Sequence, residues 1–354
     1  MLERKTIGIL GGGQLGRMLA MAAARLGFRT HIYCPDPQSP AFDVTRWHTC
    51  APYQDKVALA QFADAVDIIT YEFENIPDET VDFLGARKPL HPSARALRIS
   101  QDRILEKTFL ADLTSVAPFR KIEARSDLTA AIDVIGLPAV LKTTRFGYDG
   151  KGQRIIRTEE EADAAFSELS GQTLILESFI DFTHEISVIV ARSLSGETAA
   201  YDPAENVHRN HILDTSTVPA SVSHETAARA HKLAIQIVEE LDYVGVLGIE
   251  FFVSKYKEMP KLLVNEIAPR VHNSGHWTEA VCVTDQFEQH IRAIAGLPLG
   301  DTTRLADVQM KNLIGPDIET RFAGDTRLIQ QHDYGKAEAR PGRKMGHINR
   351  ILGR

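Results

Sequence analysis

Two glutamates sit at matching places in two apolar runs, Glu250 in Gly248-Ile249-Glu250-Phe251-Phe252 and Glu266 in Leu263-Val264-Asn265-Glu266-Ile267. Runs of β-branched and aromatic residues like these read as strands. Carboxylates placed side by side on neighbouring strands repel and raise each other's pKa unless a cation lies between them. A hard divalent ion, magnesium on nucleotide phosphates above all, resolves that conflict. A salt bridge to a nearby Arg or Lys is the simpler alternative for either residue taken singly. Directly after Glu266 comes Ala268-Pro269-Arg270-Val271-His272-Asn273-Ser274-Gly275-His276-Trp277, a dense run of donors. Arg270 offers a planar fork for a carboxylate or phosphate, and His272 and Asn273 can orient a small polar substrate.

Upstream lies a glycine-rich stretch, Gly147-Tyr148-Asp149-Gly150-Lys151-Gly152-Gln153, between the strands 138–142 and 153–157. Two strands joined by such a flap suggest a lid over phosphates. Free backbone amides reach phosphate oxygens where no Cβ intervenes, and Lys142 and Lys151 add charge. The alternative is an exposed hairpin. The connection Glu177-Ser178-Phe179-Ile180, with Glu185 beyond it, could read an adenine edge through its backbone and a ribose through a carboxylate; on its own it is a turn. Near the N-terminus Gly11, Gly13 and Gly16 fit GxGxxG, and Asp36 stands about where a ribose-binding acid would in a dinucleotide enzyme. That motif leaves a nicotinamide oxidoreductase open beside a plain packing turn. Arg340-Pro341-Gly342-Arg343-Lys344 reads as a phosphate anchor or a solvated basic turn.

These residues require particular elements to position them. The stretch 6–10 is a short apolar strand that runs into the glycine turn and then into a helix with Met18, Leu19, Ala22, Ala23 and Leu26 at helical spacing. Further strands over 29–33 and 67–70 complete an alternating pattern, hence a parallel α/β sheet over residues 1–100. A Pro- and Arg-rich stretch, 88–100, marks a boundary, and a helix over 102–113 opens the next unit. Residues 101–295 carry many strands with helices over 159–169 and 224–241, an α+β region of mostly antiparallel pairing. Residues 296–354 make a small β-rich third unit. No internal repeat or low-complexity tract is present.

At 354 residues the chain exceeds a single core, so two or three domains around a cleft are expected. A net charge of -7 argues against nucleic acid or an anionic membrane as partner and for small molecules. Cys34, Cys50 and Cys282 have no metal-site spacing and read as reduced thiols, and no stretch approaches the length of a membrane span; a cytoplasmic location is the expectation.

In this order, GGGQLGRM, YEFEN, GYDGKGQ, NEIAPRVHNSGHWT and RPGRKMGH resemble the motifs of the ATP-grasp superfamily, most closely its N5-carboxyaminoimidazole ribonucleotide synthetases. The resemblance covers nearly the whole chain and implies a three-domain architecture: an N-terminal Rossmann-like sheet, a central ATP-grasp domain and a small β-rich C-terminal domain. It implies an ATP- and magnesium-dependent carbon–nitrogen ligase. Bicarbonate becomes carboxyphosphate, and the exocyclic amine of 5-aminoimidazole ribonucleotide is carboxylated, with ADP and phosphate released. Carried onto this chain, ATP would meet Arg98, Lys142, Gly147, Tyr148, Asp149, Gly150, Lys151, Gly152, Gln153, Glu177, Ser178, Phe179, Ile180, Glu185, His208, Asn265 and Glu266. Glu250 and Glu266 would hold magnesium. The ribonucleotide would meet Gln14, Leu15, Glu72, Tyr148, Arg270, His272 and Asn273, with Lys336, Arg343 and Lys344 on its phosphate. Asp149, Lys151, Arg270 and His272 would be catalytic. A homodimer and a mutase that consumes the product complete the implication. Similar chains generally continue further past the GRKMGH motif, which leaves its phosphate contacts open to test. Another ATP-grasp ligase with a different acid or amine, and a non-catalytic nucleotide-binding protein, remain as alternatives.

Overall fold

The computed structural model describes residues 4–145, 147, 151–256, 259–320 and 327–353, the side chains at 255–256 and 259–261 excepted. The first layer is a parallel sheet in the order Trp47–Thr49, Arg29–Tyr33, Thr6–Leu10, Ile68–Tyr71. Its inner strand Thr6–Leu10 is apolar and buried along nearly its whole length, as a parallel strand covered on both faces must be. Helix Gln14–Arg25 packs Leu15, Met18, Leu19, Ala22 and Ala23 inward. The turn that joins them needs glycine at Gly11, where φ is +103° and a Cβ would stand 2.6 Å from Glu72 Cγ.

Helix Arg103–Leu113 follows, opened by Asp102, whose carboxylate accepts the amides of Ile104 and Leu105. A small antiparallel lobe comes next, ordered Phe119–Ile122, Leu174–Ser178, Ala139–Thr143, Gln153–Ile156. Helices Arg125–Ile135 and Glu159–Leu169 close its own core around Leu128, Leu141, Ala162 and Leu176. The larger sheet has nine strands, running Met259–Ala268, Gly245–Tyr256, His184–Arg192, Ala204–Arg209, Ile212–Val218, Asp307–Ile314, Lys344–Gly353, Ile329–Asp333, with Thr198–Ala200 beside His184–Arg192. The segment after residue 296 is β-rich as expected, and its strands do not stand apart. Asp307–Ile314 pairs antiparallel with Ile212–Val218, so the central sheet runs on through the C-terminal strands. Among the described residues no helix is long and apolar enough to cross a membrane.

His290, on helix Gln286–Ala295, ties the layers together. Its Nδ1 accepts the amide of Val246 at 3.1 Å, which leaves Nε2–H to donate to Thr70 Oγ1 at 2.8 Å. Burial, and then His91, push its pKa down to about 3. The folded protein therefore refuses a proton that the unfolded chain accepts below pH ~6.5. The stabilisation from a neutral His290 is complete above that pH and falls as the pH drops toward 3, by up to about 1.4 kcal/mol per unit. Replacing it with His290→Asn is expected to flatten the pH dependence of stability in this window, measured by urea unfolding at about pH 7 and about pH 5. Equal slopes for the two proteins would refute the assignment.

Candidate active site

Glu250 and Glu266 are direct cross-strand partners, and the ladder shifts register just beyond Glu250. Both side chains keep some access to solvent, 20% for Glu250 and 41% for Glu266. Glu250 is pushed up to about 7, first by burial and then by the charge of Glu266 across the ladder. Burial also opposes charge on Glu266, but Arg103, whose Nη1 lies 3.2 Å from Oε2, and then Lys142 hold it below the usual carboxylate range. His208 donates Nδ1–H to Glu185 Oε2 at 2.5 Å, and that carboxylate raises the imidazole against the effect of burial. Two opposed carboxylates, one of them forced toward neutrality by the other, fit a hard divalent cation, which would remove the penalty by sitting between them.

The small lobe faces this pair. Lys142 projects from Ala139–Thr143 and lies 3.0 Å from Glu177 Oε2; Lys107, from helix Arg103–Leu113, lies 3.3 Å from the same oxygen. Lys107 also donates to Asn265 O at 2.7 Å. Glu177 is 3% exposed, and although burial resists its charge, Lys107 and Lys142 bring its pKa down to about 2. Its side chain thus turns inward to position Lys142, not outward toward a ribose. At the same connection the Ser178 and Phe179 amides already donate to Pro118 O and Pro138 O. Gly147, Gly152 and Gln153 frame the lid, with Gly152 O accepting the Thr143 amide and Gly147 O near Arg103 Nη2 at 3.4 Å. Lys151 is exposed. Tyr148, Asp149 and Gly150 lie outside the described residues.

On the other side of the acids the donor-rich loop turns back toward the N-terminal sheet. Arg270 clasps Glu74 through Nε and, at 3.1 Å, Nη2, and Glu74 holds its pKa raised against burial. His272 packs over Gly248, where a Cβ would come within 2.7 Å of the imidazole's own Cβ. Burial, then Arg270, push His272 down to about 3, so it is neutral, with Nδ1 2.8 Å from Ser274 Oγ and Nε2 3.6 Å from Glu250. Asn273 has both side-chain polar atoms buried with no partner among the described residues, an amide prepared for a ligand. Lys336 Nζ donates to Lys344 O at 2.6 Å; Glu72 acts on Lys336, and Lys344 acts on His272, so the basic turn borders the same cleft. Arg343 donates to Glu338 O at its exposed margin.

Two expectations change. The glycine turn does not offer its amides to a pyrophosphate: Gly13 N and Gly16 N donate to Glu72 Oε1 and Oε2 at 2.8 and 3.2 Å. The protein's own carboxylate occupies the anion position at that helix N-terminus, which removes the basis for the nicotinamide reading. Leu15 is 6% exposed in the core, so only its backbone can meet a substrate, whereas Gln14 is half-buried at the turn. Arg98 is paired at 2.5 Å with Asp82 on the preceding helix. Sequence reading passed over Arg103, Lys107 and Glu74. Arg103 and Lys107 are four residues apart and share one helix face, a signal present in DRILEK; Glu74 was visible only as the second acid of YEFEN.

Three family descriptions match successive segments of the chain. The ribonucleotide synthetase preATP-grasp domain matches residues 4–101, the ATP-grasp domain 108–287, and the phosphoribosylaminoimidazole carboxylase C-terminal domain 309–353. An N5-carboxyaminoimidazole ribonucleotide synthase of Brucella melitensis is 52% identical over 98% of this chain and 96% of its own. The chain belongs to the N5-carboxyaminoimidazole ribonucleotide synthase family. Among solved members of the family, the ADP complex of an N5-carboxyaminoimidazole ribonucleotide synthetase superposes with a TM-score of 0.94 at 42% identity, covering 99% of this chain and 93% of the other. The Aspergillus clavatus N5-carboxyaminoimidazole synthase in complex with ADP and 5-aminoimidazole ribonucleotide gives 0.91 at 30% identity, covering 100% and 95%.

Lys107→Met leaves the buried Glu177 with one cation in place of two. A loss of about 2 to 4 kcal/mol in urea unfolding is expected, since a buried charge is left under-compensated. An unchanged midpoint would show that Lys107 does not hold this carboxylate.

Proposed function

We propose that this chain uses ATP to carboxylate 5-aminoimidazole ribonucleotide with bicarbonate, giving N5-carboxyaminoimidazole ribonucleotide, ADP and phosphate in purine synthesis. The observation that carries this reading is a convergence. The acid pair Glu250–Glu266 stands between the cations of the small lobe and the group formed by Arg270, His272, Asn273, Lys336 and Lys344. Family membership supplies the substrate classes that the two halves suit.

Nucleotide phosphates would lie between Lys142, Arg103 and the lid glycines, with Lys151 closing over them and Glu185–His208 beyond. Magnesium held by Glu250 and Glu266 would neutralise the terminal phosphates and favour transfer to bicarbonate. Arg270, already oriented by Glu74, presents its remaining donors to the bicarbonate-derived anion. Neutral His272 can orient the amine, and Asn273 can read the imidazole. Asp149 of the lid is assigned beside the aminoimidazole, and Lys336, Arg343 and Lys344 to the phosphate. The amine captures the carboxyl carbon of carboxyphosphate, directly or after release of carbon dioxide, and phosphate departs. An acyl phosphate is lost to water unless the cleft closes, which is the work assigned to the lid. No covalent protein nucleophile is required. A cytoplasmic homodimer that hands its product to a mutase completes the proposal. A ligase that uses another acid or amine is the second reading, since the acid pair and lid would serve it equally.

Phosphate release from ATP should require magnesium and bicarbonate and rise strongly with 5-aminoimidazole ribonucleotide; stimulation by formate or an amino acid in its place would select the second reading. Glu266→Gln should lower kcat by at least about 100-fold while thermal unfolding stays cooperative, and full activity would remove the metal assignment. Burial first, and then Arg343, bring Lys336 down to about 8. Its positive charge is thus present below that pH and lost above it. For the ribonucleotide, kcat/KM should fall as pH rises through 8, and Lys336→Met should lower it at neutral pH and abolish that limb. A variant that retains the limb would show that another group titrates there.

A further inference from the structure

Behind the donor-rich loop, away from the acid pair, the sheet buries a second cluster. His332 and His347 are cross-strand partners on Ile329–Asp333 and Lys344–Gly353, and the short helix Thr278–Val281 brings Glu279 against them. One ligand atom from each residue lies within 4.8 Å of the others, and the atoms that face one another across the ion pairs are Glu279 Oε2, His332 Nε2 and His347 Nε2. Each is buried and lacks a hydrogen-bond partner among the described residues, and His347 is wholly enclosed. Buried polar atoms without partners are rare and call for a physical reason.

Spacing supplies one. Glu279 Oε2 is 3.7 Å from His347 Nε2 and 3.8 Å from His332 Nε2. That is too far for a direct hydrogen bond of about 2.8 Å, and shorter than the roughly 4.5 Å that a bridging water would set. Two ligands on one tetrahedral ion with bonds near 2.0 Å sit roughly 3.3 Å apart, close to what is seen. The outer shell agrees. His347 Nδ1 lies 2.9 Å from the buried Tyr334 Oη, and if Nδ1–H donates to that oxygen, Nε2 is left bare for a metal. His276 completes the stack of rings but is a poor ligand: its Nδ1 accepts from Gln286 Nε2, so its proton is on Nε2.

We propose that Glu279, His332 and His347 bind one divalent transition-metal ion of the zinc class, pinning the edge strand and the start of Lys344–Gly353 to the helix that follows the donor-rich loop. Two imidazoles and a carboxylate suit such an ion better than magnesium, which prefers oxygen. The imidazoles of His332 and His347 are nearly parallel, 10° apart with centroids at 4.4 Å, and an ion must lie in the plane of both. Ligation therefore turns one ring. His332, 20% exposed on the edge strand, has the room, while Tyr334 fixes His347.

The test uses the full chain, stripped with a chelator and then held in excess magnesium and ADP so that the acid pair is occupied. Zinc is added, the protein is passed through gel filtration, and retained metal is measured by mass spectrometry; cobalt is added in parallel for its visible spectrum. About one equivalent of zinc is expected to remain, with a higher melting temperature and an intense cobalt band of low coordination number. Both Glu279→Gln, which keeps the side chain's shape, and His332→Ala, at the accessible edge, should weaken zinc binding by at least about 10-fold, while Glu266→Gln leaves it intact. No retained zinc, or wild-type retention in either Glu279→Gln or His332→Ala, overturns the proposal.

Discussion

Two like charges held opposite each other on adjacent strands govern the architecture around them. Glu250 and Glu266 are fixed by ladder register, so they cannot relieve their repulsion by moving apart. The chain answers with asymmetry. Arg103 and Lys142 keep Glu266 ionised, while burial and the charges of Glu266 and Glu185 push Glu250 toward protonation against the pull of His208 and Asn265. A site of this kind is poorly satisfied by protein alone, which is the condition under which a divalent cation gains most from binding. The lysines at Glu177 follow the same logic one layer out. Two cations share one buried oxygen, so that Lys142 is held in place before any nucleotide arrives.

The N-terminal sheet contributes through its acids more than its glycines. Glu72 fills the amide nest of its own first turn, and Glu74, two residues on, grips Arg270 from the far side of the chain. Residues two apart just past Ile68–Tyr71 thus fix both the turn and Arg270. A helix N-terminus that elsewhere would meet a phosphate has been spent internally on Glu72.

Much of this was legible in the sequence. The order of strand, turn and helix, the helix at 159–169 and the pairing of Glu250 with Glu266 followed from periodicity and from matching places in two apolar runs. The direction in which a side chain points at the end of a strand was not legible. Glu177 and Glu72 are acids in motif positions, and nothing in their neighbours says that each is consumed by an interior partner, Lys107 in one case and backbone amides in the other. Arg103 and Lys107 belong to a helix whose face is decided by packing against the strand Met259–Ala268, a contact over more than 150 positions that no local pattern carries. The C-terminal strands looked like a unit of their own because their turn-rich surroundings hide the pairing of Asp307–Ile314 with Ile212–Val218.

That pairing has a mechanical consequence. Because one continuous sheet runs from Glu266 to Lys344, the acid pair and the basic turn are borne by a single plate. The four-stranded lobe has its own core and is tied to this plate through helix Arg103–Leu113, whose Lys107 joins Glu177 to Asn265 O. A rotation of that lobe would alter the gap above the acids and leave their separation from Lys344 to the sheet. The spacing between the acids and the basic turn is thus set by strand register within one sheet.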